Sequence, residues 1–219
     1  MTQSFYRLNE LNFGETEKLF KKVFANYPHF QKILNTYQYV KKAHGKQQRI
    51  HLPIPYTIHL LRICLILYKY HRINDLDMFE AALLHDVVED TKITQTEIEK
   101  KFNSRVAEFV KALTRIKPIH ETPLEKYHNK AKKFKKILDS SKDIKILKTI
   151  DLIDNMNDWL FITKKNPEHK KFPRWLAEAK YYYLPLAKSL GNSYLKPMEY
   201  VYKILIKRGY QPNSLNPQL

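Results

Sequence analysis

Four glycines in 219 residues, at positions 14, 45, 191 and 209, constrain this chain more than any other feature. Backbone loops that wrap a phosphate need several closely spaced glycines, because only glycine lets the main chain approach that tightly. The four are scattered, so a dinucleotide fingerprint and a P-loop are both excluded. A turn-rich β protein is disfavoured on the same ground. The remaining composition, rich in Leu, Ile, Lys, Glu and Ala, favours helices. Apolar residues make up 43% of the chain, enough for a packed core despite the charge. The expected class is all-α, as a single-domain helical bundle.

Helical periodicity and stop signals place the elements. Residues 15–25 and 29–44 read as helices, the second with Phe30, Ile33, Leu34, Tyr37 and Val40 at helical spacing. A polar connector over 45–55 ends at Pro55, which suits the first turn of a helix running to about 70. Residues 77–89 read as one helix. Thr94 with Glu97 forms a capping box for a helix ending near 102. Asn103 reads as a C-cap, with helix resuming over 105–114. Residues 117–125 read as a loop. The stretch 126–148 carries nine Lys against two Asp, yet Ala131, Phe134, Ile137 and Leu138 mark an apolar face, so it reads as an amphipathic helix. Further helices are expected over 144–159, 173–189 and 194–208. The expected layout is an N-terminal helical extension (1–36), one main domain (37–209) and a flexible tail (210–219).

Lys+Arg number 39 against 22 Asp+Glu, a net charge of +17. Such a chain attracts anions: a nucleotide, a nucleic acid or an anionic surface. The lysines are spread along the chain, and no zinc-finger spacing or aromatic RNA-binding motif accompanies them, which disfavours a non-catalytic nucleic-acid binder. The one cysteine, Cys64, lies in an apolar run and reads as a small buried hydrophobe. The first 20 residues do not read as a signal peptide, and 58–68 is too short and too interrupted to span a bilayer. The expectation is a soluble cytoplasmic protein without a membrane partner.

The chemistry concentrates in AALLHDVVEDT at 81–91. Carboxylates set among Ala, Leu and Val are costly to desolvate unless they are paired or bind a cation. On a continuous helix His85 and Glu89 share a face, as do Asp86 and Asp90. Adjacent His85 and Asp86 reach one ion only if a helix end lets them converge. A second set is IDLIDNM at 150–156, where Asp151 sits in an apolar helix with Asn155 one turn on. His59, in PYTIH at 55–59, is a third candidate. His59, His85, Asp86 and Asp151 together form a mixed nitrogen and oxygen set suited to Mn²⁺, Fe²⁺ or Zn²⁺.

The order His…His-Asp…Asp resembles that of the HD-domain metal-dependent phosphohydrolases. The closer resemblance is to the RelA/SpoT hydrolase domain and the small alarmone hydrolases, over roughly residues 37–191. It runs through AHGKQQR at 43–49, PYTIH, AALLHDVVEDT, VAEFVKALTRIK at 106–117, LKTIDLIDNM at 147–156 and YLPLAKSLG at 183–191. The resemblance implies an HD-type fold and a manganese-dependent enzyme of the stringent response that removes the 3′-diphosphate of (p)ppGpp. It implies that His59, His85, Asp86 and Asp151 hold the metal. Glu89 and Asp90 would orient or deprotonate the attacking water, while Arg49 and Asn155 would contact the nucleotide. The connector is one residue longer than the family's, so His51 competes with Arg49. Leu152, Asp154 and Asp158 stand where the family has Arg, His and Thr, which leaves open another phosphorylated nucleotide such as NADPH. Acidic groups at 154 and 158 would disfavour a close phosphate unless they point elsewhere.

Overall fold

The computed structural model describes residues 5–49, 52–115, 120 and 122–214. Among them the fold is all-α, and an isolated antiparallel bridge between Gln48 and Pro55 is its only β pairing. The described residues divide into two compact units. One is Tyr6–Arg115; the other comprises Phe5 and the residues from 120 onward.

The first unit holds α1 (Phe13–Phe24), α2 (Phe30–His44), α3 (Thr57–Leu65), α4 (Leu76–Leu84), α5 (Val87–Asp90), α6 (Gln95–Lys101) and α7 (Ser104–Leu113). Asn12 and Glu15 form a reciprocal capping box that starts α1. Phe24 packs on Tyr68 and Phe79 at ring separations of 4.8 and 5.0 Å, and Tyr27 on Phe79 at 5.4 Å. Every residue of α3 is buried, Cys64 included, and burial pushes that thiol far above its ordinary pKa. The expected inert, core cysteine is what the fold contains. A π-type turn (Ile66–Tyr70) continues α3, so the helical run reaches the expected end near 70.

Three expectations for this unit change. The helix over 77–89 is broken after Leu84, with His85 and Asp86 between α4 and α5. Asn103 is an N-cap and not a C-cap: its side chain accepts from the Val106 N–H and starts α7. Pro55 lies in the bridge, and α3 starts two residues later, at Thr57.

The second unit holds α8 (Pro123–Leu138), α9 (Lys142–Trp159), α10 (Phe172–Glu178), α11 (Leu184–Leu190) and α12 (Asn192–Lys207). The loop expected up to 125 ends earlier, because Thr122 and Glu125 cap α8 reciprocally with Pro123 in the first turn. The lysine-rich stretch is not one helix: Ser141 caps α9 and separates it from α8. Ala131, Phe134 and Ile137 are buried, so the amphipathic face is real. A π-type turn (Ala179–Tyr183) joins α10 to α11 inside the run expected as one helix. The long helix α9 packs on α8, α11 and α12. Trp159 stacks on Trp175 at 5.2 Å, and Phe134 on Tyr182 at 5.2 Å. Among the described residues no helix is long and apolar enough to cross a membrane.

Candidate metal centre

The break between α4 and α5 is what makes an adjacent His and Asp useful. Side chains of consecutive helical residues diverge by about 100°. Here Asp86 leaves the helix at φ −104°, ψ −2°, and His85 Nε2 comes to 2.8 Å from Asp86 Oδ2. The break also explains itself locally. The Ala82 carbonyl, near the end of α4, accepts a hydrogen bond from His85 Nδ1 at 2.9 Å. A carbonyl only accepts, so Nδ1 carries a hydrogen and Nε2 is the nitrogen that can ligate. On the far side, the Asp86 carbonyl accepts from the Glu89 and Asp90 N–H groups and opens α5.

His59 reaches the same place from α3. It is 1% exposed, His85 is 2% exposed, and their rings lie 5.3 Å apart. Tyr56, one residue before α3, donates its hydroxyl to Asp86 Oδ2. Its ring contacts those of His44 at 4.8 Å and His59 at 5.8 Å, and the Arg49 guanidinium lies 5.6 Å from its centroid. Tyr56 belongs to the PYTIH motif, where its own role is not apparent from residue type. The available signal was its place three residues before His59, on the same helical face.

A cation fits these donors. An imidazole lone pair and a carboxylate oxygen at 2.8 Å need positive charge beside them, a proton or a metal ion. Two buried imidazoles and a carboxylate form a set that divalent transition metals take readily.

The remaining expected residues fall as follows. Glu89 is half-buried, and its Oε2 accepts from the Arg115 N–H at 2.9 Å; Asp90, at the end of α5, is exposed. Both groups are in the same unit as the His85–Asp86 pair, and the Asp90 N–H donates to the Asp86 carbonyl one turn back at 2.9 Å. Arg49 lies in the connector before α3, its N–H bonded to the Ile54 carbonyl at 3.0 Å. His51 lies outside the described residues.

Asp151 and Asn155 belong to the second unit, on α9. Asp151 is buried, with Lys148 Nζ at 2.6 Å on Oδ2 and Asn155 Nδ2 at 2.6 Å on Oδ1. Lys148 went unnoticed as anything but one lysine of many; its i,i+3 spacing from Asp151 was the available signal. Asp154 and Asp158 are both fully buried at 0% exposure.

The HD-domain family profile matches residues 36–193, and the chain belongs to that family. Among its curated relatives is the guanosine-3′,5′-bis(diphosphate) 3′-pyrophosphohydrolase of Aquifex aeolicus (strain VF5). It is 34% identical over 190 residues, which cover 84% of this chain and 25% of that protein. The guanosine-3′,5′-bis(diphosphate) 3′-pyrophosphohydrolase MESH1 of Drosophila melanogaster is 35% identical over 135 residues, 61% of this chain and 72% of its own. A solved structure described as a metazoan ortholog of SpoT that hydrolyses ppGpp and plays a role in starvation responses superposes with a TM-score of 0.68. That match has 26% identity and covers 81% of this chain and 96% of the other. This chain thus spans about a quarter of the Aquifex relative and most of the smaller MESH1.

Proposed function

We propose that this protein is a metal-dependent nucleotide phosphohydrolase that removes the 3′-diphosphate of (p)ppGpp. The observation that carries the reading is the helix break that sets His85 Nε2 2.8 Å from Asp86 Oδ2 beside the buried His59 ring. The named activity of the relatives supports the substrate, and the +17 charge suits a polyanion.

In this reading His59, His85, Asp86 and Asp151 hold one divalent ion, Mn²⁺ among the transition metals. When bound, such an ion polarises a phosphoryl oxygen and acidifies water. Asp90 accepts the proton of the attacking water, and Glu89, fixed by the Arg115 N–H, orients that water. Water adds across the ribose O3′–P bond. Its oxygen leaves with the diphosphate and a proton ends on O3′. Arg49 meets the nucleotide from the face of Tyr56, with His51 as a second contact inferred from sequence alone. Asn155, whose Nδ2 donates to Asp151 Oδ1 at 2.6 Å, hydrogen-bonds the substrate near its ribose. The reading places the enzyme in the cytoplasm, in keeping with a lone buried cysteine.

The test is product identification. The purified chain, loaded with Mn²⁺, is offered ppGpp, NADPH and other nucleotides phosphorylated on the 2′ or 3′ oxygen. Diphosphate and GDP from ppGpp, lost on chelation, are expected. Orthophosphate from NADPH alone moves the substrate. No release from any member of the panel overturns the hydrolase reading.

A further inference from the structure

The end of α2 and the connector after it contribute two side chains to which no role has been given above, His44 and Gln47. His44 Nδ1 lies 2.7 Å from Gln47 Oε1, and Gln47 Nε2 donates to Asp90 Oδ2 at 3.0 Å. We infer that Gln47 is a positioning residue for Asp90 and that His44 braces the Gln47 amide from its other side. The inference rests on the reading of Asp90 as the proton acceptor.

The amide can face only one way. An amide oxygen accepts and does not donate, so His44 Nδ1 supplies the hydrogen and Oε1 must point at it. The NH₂ group is then left toward the carboxylate. Turned over, the amide would set its oxygen against the Asp90 carboxylate, a repulsive contact in place of a hydrogen bond. His44 is itself held. It is 6% exposed, and its ring packs against Tyr56 at 4.8 Å. Burial keeps its pKa below the ordinary value.

The Gln47 backbone is fixed at both ends. Its N–H donates to the His44 carbonyl at 3.0 Å, and its carbonyl accepts from the Tyr56 N–H at 2.9 Å. Asp90 is an exposed residue ending a four-residue helix. A neutral amide restrains it without setting an opposite charge against it, so the group stays a usable base. Proton acceptors work only within hydrogen-bond reach of the proton they take, and a misplacement of about 1 Å costs on the order of 10²-fold.

The experiment uses the full chain with Mn²⁺ and ppGpp. Gln47→Leu should lower kcat by about 10- to 100-fold. KM, metal content and melting temperature should be unchanged. His44→Phe, which keeps the ring, should move kcat in the same direction by less. In an Asp90→Asn background, Gln47→Leu should cost nothing further, because its effect passes through that carboxylate. Retained kcat in Gln47→Leu, or the same loss with and without Asp90, overturns the inference. The link is also read without turnover. The side-chain amide resonances of Gln47, identified by their loss in Gln47→Leu, should move in Asp90→Asn and in His44→Phe. If the wild type releases no diphosphate and these resonances still move, the function proposed above fails and the positioning contact stands. Resonances that stay in place overturn the inference whatever the activity.

Discussion

In the proposed reading, the turn at His85–Asp86 and the middle of α9 offer a metal the same kind of group by opposite means. At the turn, donors are aimed by neutral hydrogen bonds: the Ala82 carbonyl holds His85 Nδ1, and the Tyr56 hydroxyl holds Asp86. On α9 the carboxylate of Asp151 is held by a full positive charge, Lys148, together with the Asn155 amide. The difference teaches where each ligand's cost is met. Direction is built into the first by backbone geometry, and ligation there needs little rearrangement. The second is a compensated buried ion pair, and an incoming cation competes with a resident ammonium.

The comparison can be broken most severely at the turn. Asp86→Ala should remove bound metal, read by elemental analysis, and cut diphosphate release by more than about 10³-fold. Normal turnover without metal would end the argument for this centre. A milder change sharpens the contrast. Tyr56→Phe keeps the ring but removes its hydrogen bond to Asp86, and should weaken metal binding about 10- to 100-fold in a titration against a chelator. Lys148→Met should act with the opposite sign, tightening binding roughly tenfold as the competing ammonium is lost. If both variants weaken binding equally, the two carboxylates are held alike and the contrast fails.

The smallest effect is confined to the unit Tyr6–Arg115. Burial holds His71 down to about 4, where its neutral Nε2 can accept from the Tyr6 hydroxyl. Above pH 6.5 the ring is neutral folded or unfolded and contributes nothing to pH dependence. Between about 6.5 and 4 only the unfolded chain takes the proton, so stability falls as pH falls. With partial exposure allowed for, the loss is about 1–2 kcal/mol. Denaturant melts across this range should show it, and His71→Phe should flatten the slope.

Much of this was legible in the residues. Glycine scarcity and 3.6-residue periodicity gave the class, and the Thr94–Glu97 capping box was read correctly because both partners are local. Asn103 was misread because an Asn between two helical stretches serves as either cap; its side-chain bond to the Val106 N–H decides, and that is a matter of backbone angles. Periodicity also carried 77–89 straight through His85, since apolar spacing continues across the break and nothing in it reports a φ/ψ departure at Asp86. The proposed ligands were visible as residue types, but their support was not. Tyr56, Gln47 and Lys148 are common polar residues whose meaning comes only from what lies 2.6–3.0 Å away, or from whose ring they touch.

Adjacency of His85 and Asp86 in the covalent chain has an outcome for tolerance to length change. Two donors joined by a single peptide unit have almost no closure entropy to lose, so an insertion between them destroys the pair outright. The polypeptide separating Asp86 from Asp151 is under a far weaker constraint, because the entropic cost of a longer excursion grows only as the logarithm of its length. Natural variation in chain length should therefore gather between those two aspartates and be absent from the dyad itself.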